Sequence, residues 1–439
     1  MTESPAPLHR IVIVGGGAGG LELATRLGGR LGRRGQAEIT LVDAQRTHIW
    51  KPLLHEVAAG TLDSHEDELE YLAQATLSGF RFRLGRMVGL DRARKEIRVA
   101  PTFNARGEEI IPGRVFAYDT LVIAVGSVSN DFGVPGVQAH CHFLDTTEQA
   151  EAFQARLLEA YLKAHTQGRP LEPGQLDVAI AGAGATGVEL AAQLHKVSRL
   201  LTAYGLDEIT PAQIKISIIE AADRILPGLP PELAEKTAAE LRRLNIHLIT
   251  GERVVEATPE GIKTHTGRFI PARIKVWAAG IKAPDFLKDL DGLETNRVNQ
   301  LLVRPSLQTT RDDDIFAFGD CAACPLPDGS GNVPPRAQSA HQQASLLYRS
   351  LRRRLRGEAP LDYRYRDYGS LVSLGKYSTV GNLMGNLTGT VMIEGFLARL
   401  VYLSLYKMHQ VALYGWFRTA MLTVSHLFRS SVNPQIKLH

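Results

Sequence analysis

Residues 11–20 read Ile-Val-Ile-Val-Gly-Gly-Gly-Ala-Gly-Gly, an apolar β-branched run that ends in a glycine cluster. The cluster contains Gly15-x-Gly17-x-x-Gly20, with Gly16, Ala18 and Gly19 between. A helix-compatible segment follows from Leu21 to about Gly35, then an apolar run from Ala37 to Val42 and Asp43. Gly15 permits a tight strand-to-helix turn, Gly17 lets backbone approach a pyrophosphate, and Gly20 allows close helix–strand packing. The free N–H groups and positive dipole end of the helix then face the phosphates. Asp43, 28 residues after Gly15, stands where a carboxylate accepts hydrogen bonds from ribose hydroxyls. A bare glycine triplet is weak; strand, turn, helix, strand and acid together predict a dinucleotide-binding unit.

The pattern recurs. Leu176–Ala181 reads as a strand, Gly182-x-Gly184-x-x-Gly187 as its turn, Val188–Leu201 as a helix, and Ile214–Glu220 as a strand ending in an acid. The 38 residues from Gly182 to Glu220 include an insertion at Thr202–Ala212. Two complete units imply two dinucleotides. Glu220 accepts from a free 2′-OH and repels a 2′-phosphate, which favours NADH over NADPH; Arg224 is the nearest cation that could offset this.

Three further strand ends fit the same plan. Tyr118–Ser127 is a buried strand ending in Ala124-x-Gly126, with room for a cofactor beside it. Val276–Gly280 ends in Ala279-Gly280. Thr309–Asp320 ends in Gly319-Asp320, which places a carboxylate to accept from a ribityl hydroxyl. Residues 46–60, with Lys51, lack periodicity and are expected along a cofactor ring. Residues 80–100 read as short strands, and Thr147 to about His165 as a helix.

The order of these motifs resembles the two-dinucleotide-binding-domain flavoproteins. That resemblance implies FAD on the first unit and NADH on the second. Ala337-Gln338-Ser-Ala340-His-Gln342 and the segment from Arg399 resemble bacterial type II NADH:quinone oxidoreductases, over essentially the whole chain. The implied activity is electron transfer from NADH through FAD to ubiquinone or menaquinone, without proton pumping. Gln338 and Gln342 share a helix face, and their amides could donate to a quinone carbonyl. The resemblance places Glu189 near the flavin in proton handling, and Lys376 beside flavin or quinone.

The expected fold is α/β: two doubly wound, Rossmann-like three-layer domains, the first discontinuous, and a C-terminal membrane-docking or dimerisation region. Its divisions are 1–145 (FAD, first part), 146–295 (NADH), 296–350 (FAD, second part) and 351–439 (interface and anchor). With 439 residues, 44% hydrophobic and 22% charged, the composition is that of a globular chain. The net charge is +4, yet residues 395–439 carry five cations and no acid, leaving the rest near −1. Residues 394–430 combine isolated cations with apolar and aromatic side chains. On a single helix Lys407, Arg418 and Arg429 fall within about 40°, which suits an anionic membrane surface; a dimer interface is the competing use. Gly415 is a candidate break in that helix.

No run reaches the roughly 18 apolar residues of a membrane-spanning helix, and Met1–Arg10 lacks the apolar core of a secretory signal. The expected location is the cytoplasmic face of the inner membrane, peripheral. Three cysteines make no disulfide framework. Cys321-x-x-Cys324 is half a zinc site at most, so no metal is expected, and no motif supports nucleic-acid binding. The competing functions are a reductase with a soluble electron acceptor and an NADH sensor whose tail binds a partner.

Overall fold

A computed structural model describes residues 7–104, 106–368, 370–373, 379–385, 389–394 and 406–430. They form two compact units: Met1–Trp50 with Glu68–Val128 and Ile281–Arg366, and Lys51–Asp67 with Ser129–Gly280 and Asp367–His439.

The first unit is built on a parallel sheet. Its strands lie in the order Ile315–Ala317, Thr120–Ile123, His9–Val14, Ala37–Asp43, Arg81–Leu84. Ile11, Ile13, Leu41 and Leu121–Ile123 are buried, as strands covered on both faces require. The strand order reverses direction beside His9–Val14, so the crevice between it and Thr120–Ile123 is the topological switch point where ligands bind such sheets. The same unit carries an antiparallel sheet of Met87–Asp91, Glu96–Val99 and Arg114–Ala117. The first helix spans Ala18–Leu27 and continues as a π-turn over Gly28–Gly32, three residues earlier at its start than the sequence suggests.

The second unit repeats the plan with four parallel strands, His247–Ile249, Ile216–Ile219, Val178–Ala181 and Ile274–Trp277. An antiparallel sheet of Val254–Ala257, Gly261–Thr264 and Phe269–Pro271 packs on it around Val137, Ile219, Ile262 and Trp277. The insertion after the second helix holds two 3-10 turns, Thr202–Tyr204 and Pro211–Gln213. Strands Ser370–Ser373, Thr379–Gly385 and Gly389–Glu394 form an antiparallel meander.

The division differs from the sequence-based one. Residues 51–67 and 129–145 group with the second unit, and 281–295 and 351–366 with the first. The cause is long-range. Helix Leu54–Ala58 packs on helices Thr147–Thr166 and Ala185–Leu200, and Asp145 gathers Lys51 and Ser129.

The tail helix breaks at Gly415 (φ +77°). Residues 406–414 form one helix and Trp416–Ser430 another. The single-helix alignment of Lys407 with Arg418 therefore does not hold, because a left-handed residue between them resets the helical phase. No helix among the described residues is long and apolar enough to cross a membrane.

Candidate active site

The two glycine turns have nearly the same geometry. Gly15 has φ +101° and Gly182 φ +106°, a region that side-chain-bearing residues rarely enter. A Cβ on Gly20 would lie 1.9 Å from the Gly15 carbonyl oxygen, and one on Gly187 2.1 Å from that of Gly182. A Cβ on Gly17 or Gly184 would meet nothing within 4 Å. These are the helix N-caps, both extended, with no side-chain cap and no acid in the first turn. The first-turn N–H groups are thus left for an anionic ligand.

The terminal acids serve their own turns. Asp43 accepts from the Gly16 N–H at 2.5 Å and the Gln45 N–H at 2.7 Å. Glu220 accepts from the Ala183 N–H at 2.8 Å and the Ala222 N–H at 3.0 Å. Desolvation raises the pKa of Asp43, and the N–H donors oppose that. Around it, the buried Tyr71 hydroxyl donates to the Gly16 carbonyl at 2.8 Å. Burial, with the Asp43 charge adding to it, pushes that phenol far above its ordinary range. His48 is also buried, which lowers its pKa to about 4.

In the first unit, the ends of Thr120–Ile123 and Ile315–Ala317 are joined by side chains that follow them. Ala124 packs against Gly15. Gly126 and Gly319 have φ +68° and +73°. Asp320 accepts from Ser127 Oγ at 2.8 Å, while its carbonyl accepts from Gln300. Gly319 is capped by buried Gln343, whose side-chain oxygen accepts the Gly319 N–H at 2.8 Å. A Cβ on Gly19 would lie 2.4 Å from the Phe318 ring and 3.1 Å from the Ala340 carbonyl oxygen. Helix Ala337–Arg354 therefore abuts both glycines. It is tied to the first helix by Glu22, a buried carboxylate bonded to His341 and to Arg26.

Gln338 and Gln342 lie on one side of that helix, both half-buried. Gln338 donates to the Tyr365 hydroxyl at 3.1 Å. Gln342 clasps the backbone of Arg366, donating to its carbonyl at 2.7 Å and accepting its N–H at 3.0 Å. Both amides hold the 363–366 segment, an arrangement helical spacing does not reveal.

In the second unit, a crevice of about 480 Å3 opens at the carboxyl ends of the parallel strands. Gly182, Glu220, Trp277 and Ala279 line it, with Phe132 and Val254. Gly280 has φ +67°. Glu189 lies one turn inside its helix, because that helix starts at Ala185 and not at Val188. It is buried, with His55 Nδ1 3.6 Å from its Oε2. Burial lowers the His55 pKa to about 4. Lys51 pairs with Asp145 at 3.3 Å. Lys376 lies outside the described residues. Cys321 and Cys324 are free, buried thiols, and burial pushes each up to about 12.

Comparison with known proteins shows the family of the chain. Residues 9–344 match the family described as pyridine nucleotide-disulphide oxidoreductase. The chain is 40% identical, over 98% of its length and 100% of the relative's, to a type II NADH:quinone oxidoreductase of Haemophilus influenzae. The chain belongs to the type II NADH:quinone oxidoreductases. A protein of that description from Mycobacterium tuberculosis is 28% identical over 96% of this chain and 88% of its own. In fold, the chain resembles NDH2 of Plasmodium falciparum, solved with NADH (TM-score 0.79, 18% identity, 98% and 100% covered). It also resembles the sulfide:quinone oxidoreductase of Aquifex aeolicus (TM-score 0.72, 18% identity, 93% and 92% covered).

For this family member, sequence reasoning missed Tyr71, Ser127, Gln343 and His55. Each acts through a contact far away in the chain. Only Gln343 left a local trace, being the third glutamine in a short run.

Proposed function

We propose that this enzyme oxidises NADH on its second unit and reduces a membrane quinone, ubiquinone or menaquinone, with FAD as the resident carrier. The observation that carries this reading is the pair of matched glycine turns, each closed by its own acid and each leaving its helix N-terminus uncapped. FAD supplies, when bound, a hydride acceptor that can release electrons singly or in pairs. The first unit fits that group. Gly15–Gly20 and Asp43 form a phosphate and ribose cradle, Gly17 leaves open space, and Ala124, Gly126, Gly319 and Asp320 offer backbone and a carboxylate at the switch point.

The chain's own groups divide the remaining work. Gly182, Gly184 and Gly187 present N–H groups to the pyrophosphate of NADH. Glu220, already hydrogen-bonded to its turn, sets a negative charge where a 2′-phosphate would sit, so NADH is preferred. Ala279 lines the crevice, and Gly280 makes room for the Phe132 ring. Glu189, buried with His55 Nδ1 3.6 Å from its Oε2, is the group assigned to proton handling. Gln338 and Gln342 position the 363–366 segment, the part of the first unit assigned here to the quinone.

The tail supplies the membrane contact. Trp416 is 81% and Phe417 78% exposed, and Met421, Leu422 and Val424 are exposed on the same helix. An apolar face this wide with Arg418 and no acid suits an anionic lipid surface at the cytoplasmic face; it would also serve a homodimer. Steady-state NADH oxidation by detergent-purified protein with a short-chain quinone tests the reading. Quinone-dependent turnover is expected, and its absence with flavin present would refute it.

A further inference from the structure

Phe132 is an aromatic ring in an unusual position. It has φ +53°, a strained choice for a bulky residue, and it is 63% exposed. Its loop is nevertheless built. The Phe132 N–H donates to Asn130 Oδ1 at 3.0 Å. The Asn130 N–H donates to the Gly280 carbonyl at 3.2 Å. The Trp277 indole N–H donates to the Asn130 carbonyl at 2.8 Å. The ring lies over Gly280, where an added Cβ would come within 2.4 Å of its Cζ. Three hydrogen bonds and one glycine thus fix an exposed, apolar ring at the rim of the nucleotide crevice, whose lining also includes Glu220, Ala221, Val254 and Val255.

We propose that Phe132 is a base-stacking residue, whose ring presents its face to the adenine of the bound dinucleotide. This rests on the NADH reading above. The adenine assignment follows from the lining: Glu220 marks the adenosine ribose, and Ala221, Val254 and Val255 are apolar residues of the same crevice that a base can pack on. A flat base packed there needs a second face, and Phe132 supplies one. Stacking on an aromatic ring also explains why a strained conformation with an exposed ring is held so firmly, since burying the ring against a base recovers what solvent exposure loses.

The test is calorimetric titration of flavin-loaded protein with ADP-ribose, which lacks nicotinamide, and with NADH. Phe132→Leu keeps bulk but removes the π face; it should weaken ADP-ribose and NADH alike by about tenfold. Phe132→Trp should bind both within about twofold of wild type. Phe132→Gly removes the ring and relieves the positive φ, so it should lose the same affinity with a Tm no lower than wild type's, which a merely structural role would not allow. Unchanged ADP-ribose affinity in Phe132→Leu overturns the proposal, whether NADH binding is also unchanged or is weakened alone, the latter placing the ring against nicotinamide. A wild-type protein that binds neither nucleotide refutes the underlying NADH reading instead.

Discussion

The turn at Gly15 and the turn at Gly182 are made alike and surrounded differently. Both have φ near +100° and a carboxylate on the next N–H. Around the first, Tyr71 and His48 are buried, and Gln343 and Glu22 fasten a second helix to the cradle. Around the second lies a crevice of about 480 Å3, with an exposed phenylalanine at its rim. On the function proposed above, one motif serves two residence times. A turn enclosed by buried polar contacts suits a cofactor that stays, and a turn open to solvent suits a substrate that exchanges at each turnover.

The largest expected effect separates the two turns outright. Gly20→Ala places a methyl 1.9 Å from a carbonyl oxygen, and the purified protein should hold less than about a tenth of the wild-type flavin. Gly187→Ala meets the corresponding clash at 2.1 Å, but should stay yellow and fail to bleach with NADH. If either substitution abolished the other turn's function, the division of labour would be wrong. Glu220→Ala comes next. It should lower kcat/KM for NADH about tenfold and leave that for NADPH unchanged or higher, as steady-state kinetics would record.

Acid tests both surroundings together. His48 and His55 sit in different units, and burial lowers each pKa to about 4 from the ordinary imidazole value of 6.5. The unfolded chain binds the proton first, so stability is full above pH 6.5 and falls as pH drops from there toward 4. Each histidine should cost about 2 kcal/mol at pH 5. His48→Gln and His55→Gln should each flatten part of the Tm loss between pH 7 and 5. A Tm independent of pH in wild type would contradict the buried neutral imidazoles. The smallest effect is expected of Tyr71→Phe, which leaves the Gly16 carbonyl short of one donor. It should lower stability by about 1–2 kcal/mol, measured by thermal melts with flavin bound.

Sequence reading reached both turns, both acids, the three additional strand ends and the break at Gly415, because each follows from short-range rules of glycine, β-branching and charge. It could not see that Asp43 and Glu220 bond to their own turns. Nor could it see that Gln342 clasps Arg366, 24 residues on. Residues 51–67 joining the second unit is a packing outcome carried by His55, Thr61 and Ser64, which bond or pair to Glu189, Gln193 and Glu151. Such contacts span 87 residues or more, and no local periodicity encodes them. Phe132 was hidden for the same reason, since only the folded loop shows its ring over Gly280.

The most direct test of the account is the visible absorption spectrum of the purified protein. A flavin spectrum should be present, bleach when NADH is added without oxygen, and return on addition of a short-chain quinone. A spectrum that NADH bleaches and quinone fails to restore would contradict the proposed acceptor, and a colourless, folded protein would contradict the flavin held at Gly15–Gly20.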